Sequence, residues 1–229
     1  MDRKMSTRFA RTLLLFKEEG FTKLQNASVL LFGVGGVGSF ALDCLYRSGV
    51  GKICIVDGDC FDITNQNRQI GSFEGLGEKK VEVLAKMYPN INYIAKRFSP
   101  QDIEEFDFSS YDVVLDAIDD IPTKISLALK IANKPKIKNA PLLLSSTGSA
   151  KKLDPGEIRC ANIWKSYGDK FARKFREGLK KQNFRGDFKV IFSPEIPKCK
   201  ELGSFSAVTG SFGLRLASEA ISHILKENK

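Results

Sequence analysis

Residues Leu30–Phe40 read LLFGVGGVGSF. A short apolar run that ends in glycine is the pattern of a buried strand. The glycines that follow, Gly33, Gly35 and Gly38, fit G-x-G-x-x-G, with Gly36 between them. Glycines there allow a tight turn and close backbone approach to phosphate, and the amino terminus of the next helix adds a favourable dipole. Asp57 lies 19 residues beyond Gly38, where an acid can hold ribose hydroxyls. To this point NAD, FAD and ATP are served equally well. A glycine turn that serves only backbone packing also remains open.

On either side the chain alternates strand and helix. The spacing predicts strands in SVLLFG (28–33), KICIVDGD (52–59), INYIAKRF (91–98), YDVVLDAIDD (111–120) and APLLLSSTGS (140–149). Helices are predicted in GSFALDCLYRSG, in GEKKVEVLAKMYP from Gly77, and in IPTKISLALKIANK. This alternation predicts an α/β fold: a Rossmann-like, doubly wound, mainly parallel sheet with helices on both faces. Ligands of such sheets bind beyond the carboxyl ends of the strands. Gly33 to Gly38, Asp57, Asp59, Asp116 and Asp119 all fall there.

After Ala150 the pattern loosens. KKLDPGEIRCANI reads as a turn and a strand. Residues 165–189 hold nine Lys/Arg against three Asp/Glu, and Phe171, Phe175 and Leu179 recur at i, i+4 and i+8. That is an amphipathic basic helix. VIFSPEIPKCKELGS, with two prolines, reads as loops, and SFSAVTGSFGLRLASEAISHIL as a closing helix rich in small residues. One domain, 1–229, is expected. Within it 1–26 forms an amino-terminal helix, 27–150 the nucleotide-binding core, and 151–229 a basic substrate-binding and packing region.

The segment DGDCFDITNQNRQI, followed by GEKK, narrows the chemistry. A nicotinamide enzyme has no need of a tight Asn-x-Asn-Arg cluster, whereas an enzyme that splits ATP does. Arg68 can orient phosphates by a forked contact. Lys80, at a helix start, can touch a triphosphate as a point charge. Asn65 and Asn67 can hydrogen-bond phosphate or an attacking carboxylate. Asp119, after VVLDA, can hold magnesium that bridges phosphate oxygens. Together these are the electrostatic parts of an adenylyl transfer.

At these residues the sequence resembles the ThiF/MoeB/HesA family of adenylating enzymes, relatives of ubiquitin-activating enzymes. RFAR, GVGGVGS, VDGD, TNQNRQ, GEKK and DAIDD occur in that order over roughly residues 8 to 150. The resemblance implies that Asp57 binds the ATP ribose, that Asn65, Arg68 and Lys80 contact its phosphates, and that Asp119 holds magnesium. It also implies a homodimer in which Arg11, with Arg8 able to share the role, reaches the partner's ATP as an arginine finger. N-x-NRQI, LDPGEI, FSPE and SAVTGSFGLRLAS resemble the branch that uses ATP to dehydrate and cyclise threonylcarbamoyladenosine in tRNA. The competing expectation is adenylation of the carboxyl-terminal glycine of a ubiquitin-like sulfur carrier, with a sulfur-transfer partner protein. Members of that kind hold zinc on two C-x-x-C pairs, and this chain has none.

The five cysteines, odd in number, point to no disulfide framework and to a reducing cytosol. Cys199, in the proline-bearing segment where a crossover loop would pass, is a candidate thioester nucleophile or a surface thiol. Cys44, Cys54 and Cys160 are expected to be packed. The single histidine, His223, is expected at the surface and excludes a multi-histidine metal site. No apolar run is long enough to span a membrane, and MDRKMSTRFAR carries no signal-peptide core. The net charge of +9 fits either a polyanionic partner or simple solubility. Given a tRNA substrate, Lys170, Arg173, Lys174 and Lys181 are the expected backbone contacts.

Overall fold

The structure, a computed structural model, describes residues 8–134 and 140–226. Its helices are α1 (Ala10–Asn26), α2 (Gly38–Ser48), α3 (Lys80–Met87), α4 (Pro100–Glu105), α5 (Ile121–Ala132), α6 (Lys170–Lys181) and α7 (Ser206–Lys226). Its strands are β1 (Ser28–Phe32), β2 (Lys52–Val56), β3 (Asn92–Ile94), β4 (Val113–Asp116), β5 (Leu142–Ser146), β6 (Arg159–Asn162) and β7 (Lys189–Phe192). Residues 1–7 of the predicted amino-terminal segment lie outside the described residues.

The strands form one sheet in the order β3-β2-β1-β4-β5-β7-β6. All neighbours run parallel except β6, which is antiparallel to β7. β1 and β4 are buried along their whole length, as central strands covered on both faces must be. One core, under α2, α3 and α7, takes Val29, Leu31, Leu42, Leu84 and Phe212. The other, under α5 and α6, takes the alternate strand residues Leu30, Phe32 and Val114, with Leu127 and Phe175. The expected doubly wound sheet is therefore present. The strand order reverses between β1 and β4, with β2 and β3 added on one side of β1 and β4 and β5 on the other, the position at which such sheets open a crevice.

One sequence expectation is corrected. VIFSPEIPKCKELGS is not all loop, because its first residues belong to β7, which inserts between β5 and β6. Three apolar residues ahead of Ser-Pro, Val190, Ile191 and Phe192, carry no period of their own, and pairing on both sides makes them a strand. The small residues of α7 are used inside the chain. A Cβ on Gly213 would fall 2.2 Å from the Val37 carbonyl oxygen, so α7 lies directly on α2. α4, which the alternation did not predict, is a single short helix with Ser99 and Asp102 capping one another. α1 is broken at Lys17, which adopts φ 59° and ψ 174°.

Candidate active site

Where β1 ends, Gly33 turns at φ 80° and its α-carbon lies against β4's exit. A Cβ there would meet the Ala117 carbonyl oxygen at 2.7 Å. Gly38 starts α2 in such tight contact that its Cβ would fall 1.8 Å from the Gly33 carbonyl oxygen. Only glycine fits both positions. The turn brings the amino terminus of α2 up to a cleft of about 780 Å³ over the carboxyl ends of β1, β2, β4 and β5. That volume suits a nucleotide-sized ligand.

The cleft wall joins Gly33, Gly35, Gly36, Asp57, Asp59, Arg68, Lys80 and Asp119. Residues 86 positions apart in sequence are thus gathered around one space. Asp57 is held in place by two backbone donors: Val34 N–H reaches Oδ2 at 2.9 Å and Asp59 N–H reaches Oδ1 at 2.8 Å. Each oxygen keeps a second lone pair for a ligand hydroxyl. Arg68 spends its Nη1 on the Thr64 carbonyl and on Asn67 Oδ1, both at 2.8 Å. Among the described residues no hydrogen bond engages its Nη2 or Nε. Lys80 is the first residue of α3, buried to 6% exposure, with Nζ 3.4 Å from Asp59 Oδ2. Asp119 is exposed, and among the described residues no hydrogen bond engages its carboxylate.

Several predicted residues stand elsewhere. Gly38 is buried and packs; it does not line the cleft. Asn65 is also off the wall: its Oδ1 accepts the Asp62 N–H at 3.1 Å and closes a capping box on the turn 63–65. Asn67 orients Arg68 and donates to the Ser204 carbonyl at 2.8 Å, tying the motif to the segment before α7. Arg8 stacks on Tyr46, 4.3 Å from the ring centroid, so it is engaged within its own chain. Arg11 is exposed on α1. Cys199 is exposed and its thiol donates to the Glu201 carbonyl at 3.2 Å. The thiol is not in the wall, although Leu202 and Ser204 of the same segment are. Cys54 is buried, and Cys44 and Cys160 are half-buried. Burial pushes the Cys160 thiol up to about 11. His223 is half-buried near the end of α7, not on the open surface.

Sequence reasoning missed three parts of the site. Lys124 is fully buried below the cleft, with Nζ 2.8 Å from Asp116 Oδ1 and 3.2 Å from Ser145 Oγ. Ser145 Oγ in turn donates to Asp116 Oδ2 at 2.6 Å. Burial pushes the Lys124 ammonium below the ordinary lysine value, and the Asp116 carboxylate opposes that shift. Asp116 Oδ1 also accepts the Ile118 N–H at 3.1 Å, which fixes the turn that carries Asp119. Secondly, Gln69 lines the cleft, and its buried Oε1 has no hydrogen-bond partner among the described residues. A buried acceptor left open in a cleft wall fits a ligand that brings a donor. Thirdly, Arg97 enters the wall from the end of β3, beside Gly58.

The ThiF family model matches residues 9–229. The chain belongs to the ThiF family. This ThiF-family chain is 38% identical over 200 residues to the tRNA threonylcarbamoyladenosine dehydratase of Bacillus subtilis (strain 168), covering 84% of this chain and 77% of that one. It superposes with a TM-score of 0.89 on a crystal structure of E. coli tRNA N6-threonylcarbamoyladenosine dehydratase, TcdA, in complex with ATP. That pair is 28% identical and the match covers 98% of this chain and 96% of the other. A third relative, the adenylyltransferase and sulfurtransferase MOCS3 of Drosophila sechellia, is 33% identical over 95% of this chain and 45% of its own length. Among the described residues of this family member, no helix is long and apolar enough to cross a membrane.

Proposed function

We propose that the protein uses ATP to dehydrate and cyclise threonylcarbamoyladenosine in tRNA. One observation carries the reading: Asp57, Arg68, Lys80 and Asp119 surround one cleft at the glycine turn, a set that a triphosphate needs and a hydride carrier does not. Relatives named as tRNA threonylcarbamoyladenosine dehydratases support the choice of substrate, as does the row of exposed cations on α6.

Asp57 would hold the ribose hydroxyls, and Arg68 and Lys80 would draw charge from the phosphates. Asp119, an open carboxylate, would hold magnesium, which when bound would offset phosphate charge. The substrate carboxylate attacks the α-phosphorus, and the bond to the β-phosphate oxygen breaks to release pyrophosphate. A carbamoyl atom of the same substituent then attacks the acyl carbon, loses its proton to solvent and expels AMP. One oxygen of the carboxylate leaves on AMP, so the nucleoside is lighter by one water. Tethered groups reach one another without a strong general base, since proximity supplies much of the barrier reduction.

The active form is proposed to be a homodimer. Arg11 shares α1 with Leu14 and Leu15, which are 84% and 74% exposed, an apolar surface suited to meeting another chain. An ATP-dependent reaction on tRNA in a chain with five unpaired thiols suits the cytoplasm. The second reading, adenylation of a sulfur carrier's terminal glycine, is favoured by the MOCS3 relative and would use the same cleft. The test is mass spectrometry of tRNA nucleosides after incubation with ATP and magnesium. Loss of one water from threonylcarbamoyladenosine is expected. An unchanged nucleoside, with pyrophosphate released only when a carrier protein is added, would establish the second reading instead.

A further inference from the structure

The cleft is divided by charge. Asp57, Asp59, Arg68, Lys80, Arg97 and Asp119 crowd the end over β1, β2 and β4. Beyond the tip of β5 the wall is Thr147, Gly148, Ser149, Ala150, Phe171 and Leu202, without a charged group. A triphosphate belongs at the first end. The second offers hydroxyls, backbone and one aromatic ring, which suit an uncharged group.

Phe171 is placed there by the register of α6. The residues that α6 buries are Ala172, Phe175 and Leu179. Phe171, four residues before Phe175 on the same stripe as the sequence period predicts, lies half-buried at its cleft end. Its position is tightly held. Asp169 caps α6 through the Ala172 N–H at 2.8 Å. Its other oxygen takes Lys152 Nζ at 2.7 Å and Thr147 Oγ1 at 3.1 Å, all within a buried cluster. The first turn of α6 is therefore fastened to the tip of β5. Lys124 Nζ lies 5.8 Å from the Phe171 ring centroid, beneath the wall. Lys170, Arg173 and Lys174 project from the same two turns into solvent. An aromatic ring flanked by outward cations is how proteins take an unstacked base and its phosphates.

We propose that Phe171 is the acceptor subsite: the nucleobase carrying the reactive carboxylate leaves the stack of its neighbours in the tRNA and rests on this ring. Its substituent then extends toward the charged end, where the α-phosphate would lie. A base stacked between its neighbours cannot present its substituent inside a cleft, so extrusion is required. The inference rests on the tRNA reading given above.

The test uses the full-length protein and tRNA bearing threonylcarbamoyladenosine, with KM measured separately for tRNA and for ATP. Phe171→Leu is expected to raise KM for tRNA about tenfold or more, the loss typical of one base–aromatic stack. KM for ATP and the rise in Tm on adding ATP with magnesium should stay as in the wild type. Phe171→Tyr, which keeps the ring, should restore KM for tRNA. Gly148→Ala is a second probe, because its methyl would lie 3.4 Å from Phe171 Cβ and narrow the same end. It too should raise KM for tRNA alone. The subsite is overturned if Phe171→Leu and Gly148→Ala leave KM for tRNA unchanged, if ATP is affected equally, or if Tyr fails to rescue. A wild-type protein that leaves tRNA unaltered overturns the parent reading and the subsite together. An active wild type with insensitive variants overturns the subsite alone.

Discussion

Lys124 has no exposed surface and depends on two neighbours, Asp116 and Ser145, to carry its charge. Removing one partner of such a pair leaves the other charged and unsolvated. Lys124→Met should therefore lose about 3–5 kcal/mol of stability in denaturant titrations. Replacing both, as Lys124→Met with Asp116→Leu, should recover most of that stability. Turnover should stay low, because the Ile118 anchor that shapes the Asp119 turn is gone. Arg68 makes a contrasting case, since its neighbours orient it without burying it. Arg68→Ala should lower kcat about 100-fold, the cost of one preorganised donor, with little change in Tm. Thiol labelling separates the cysteines. Cys60 and Cys199, both exposed, should alkylate at pH 8, while Cys160, pushed up to about 11, reacts slowly. Tethered ring closure needs no thioester, so Cys199→Ser should retain most turnover; loss of activity in that variant would place the thiol in the reaction.

At the level of elements, α4 depends on its cap. Asp102 lies low, at about 2, first because Lys96 donates to it and then because Ser99 does. Its folded value is below its unfolded one. The stabilisation is thus present above about pH 4 and is lost as pH falls toward 2. Asp102→Asn should flatten acid unfolding across that window, as followed by circular dichroism; an unchanged profile would remove the cap from the account. α6 carries the electrostatic prediction. Reversing Lys170, Arg173, Lys174 and Lys181 should lower the slope of log affinity for tRNA against log salt by about 3–4. An unchanged slope would assign those charges to solubility. The apolar side of α6 was legible in its period, but the place of its first turn at the cleft was not. That placement depends on how Gly178 meets Ile125 of α5 and how Asp169 meets Lys152, contacts that no local pattern contains.

On the scale of the whole molecule, the proposed arginine finger gives a complementation test. Arg11→Ala and Lys80→Ala should each be inactive alone. Mixed after subunit exchange, they should regain activity, because one mixed dimer site has both its own Lys80 and the partner-supplied finger. No recovery on mixing would mean that Arg11 acts within its own chain or not at all. The alternation of strand and helix, the glycine turn, and the acids at strand ends could all be read along the chain. Each follows from neighbouring residues: period, backbone freedom at Gly33, and the fixed spacing from strand tip to helix. The insertion of β7 beside β5, the buried Asp116–Lys124 pair, the open Oε1 of Gln69 and the turn of Phe171 into the cleft depend on groups distant in sequence. Strand pairing and desolvation act between segments that meet only after folding, so a glycine turn can be recognised from eleven residues, whereas the division of its cleft requires the packed chain.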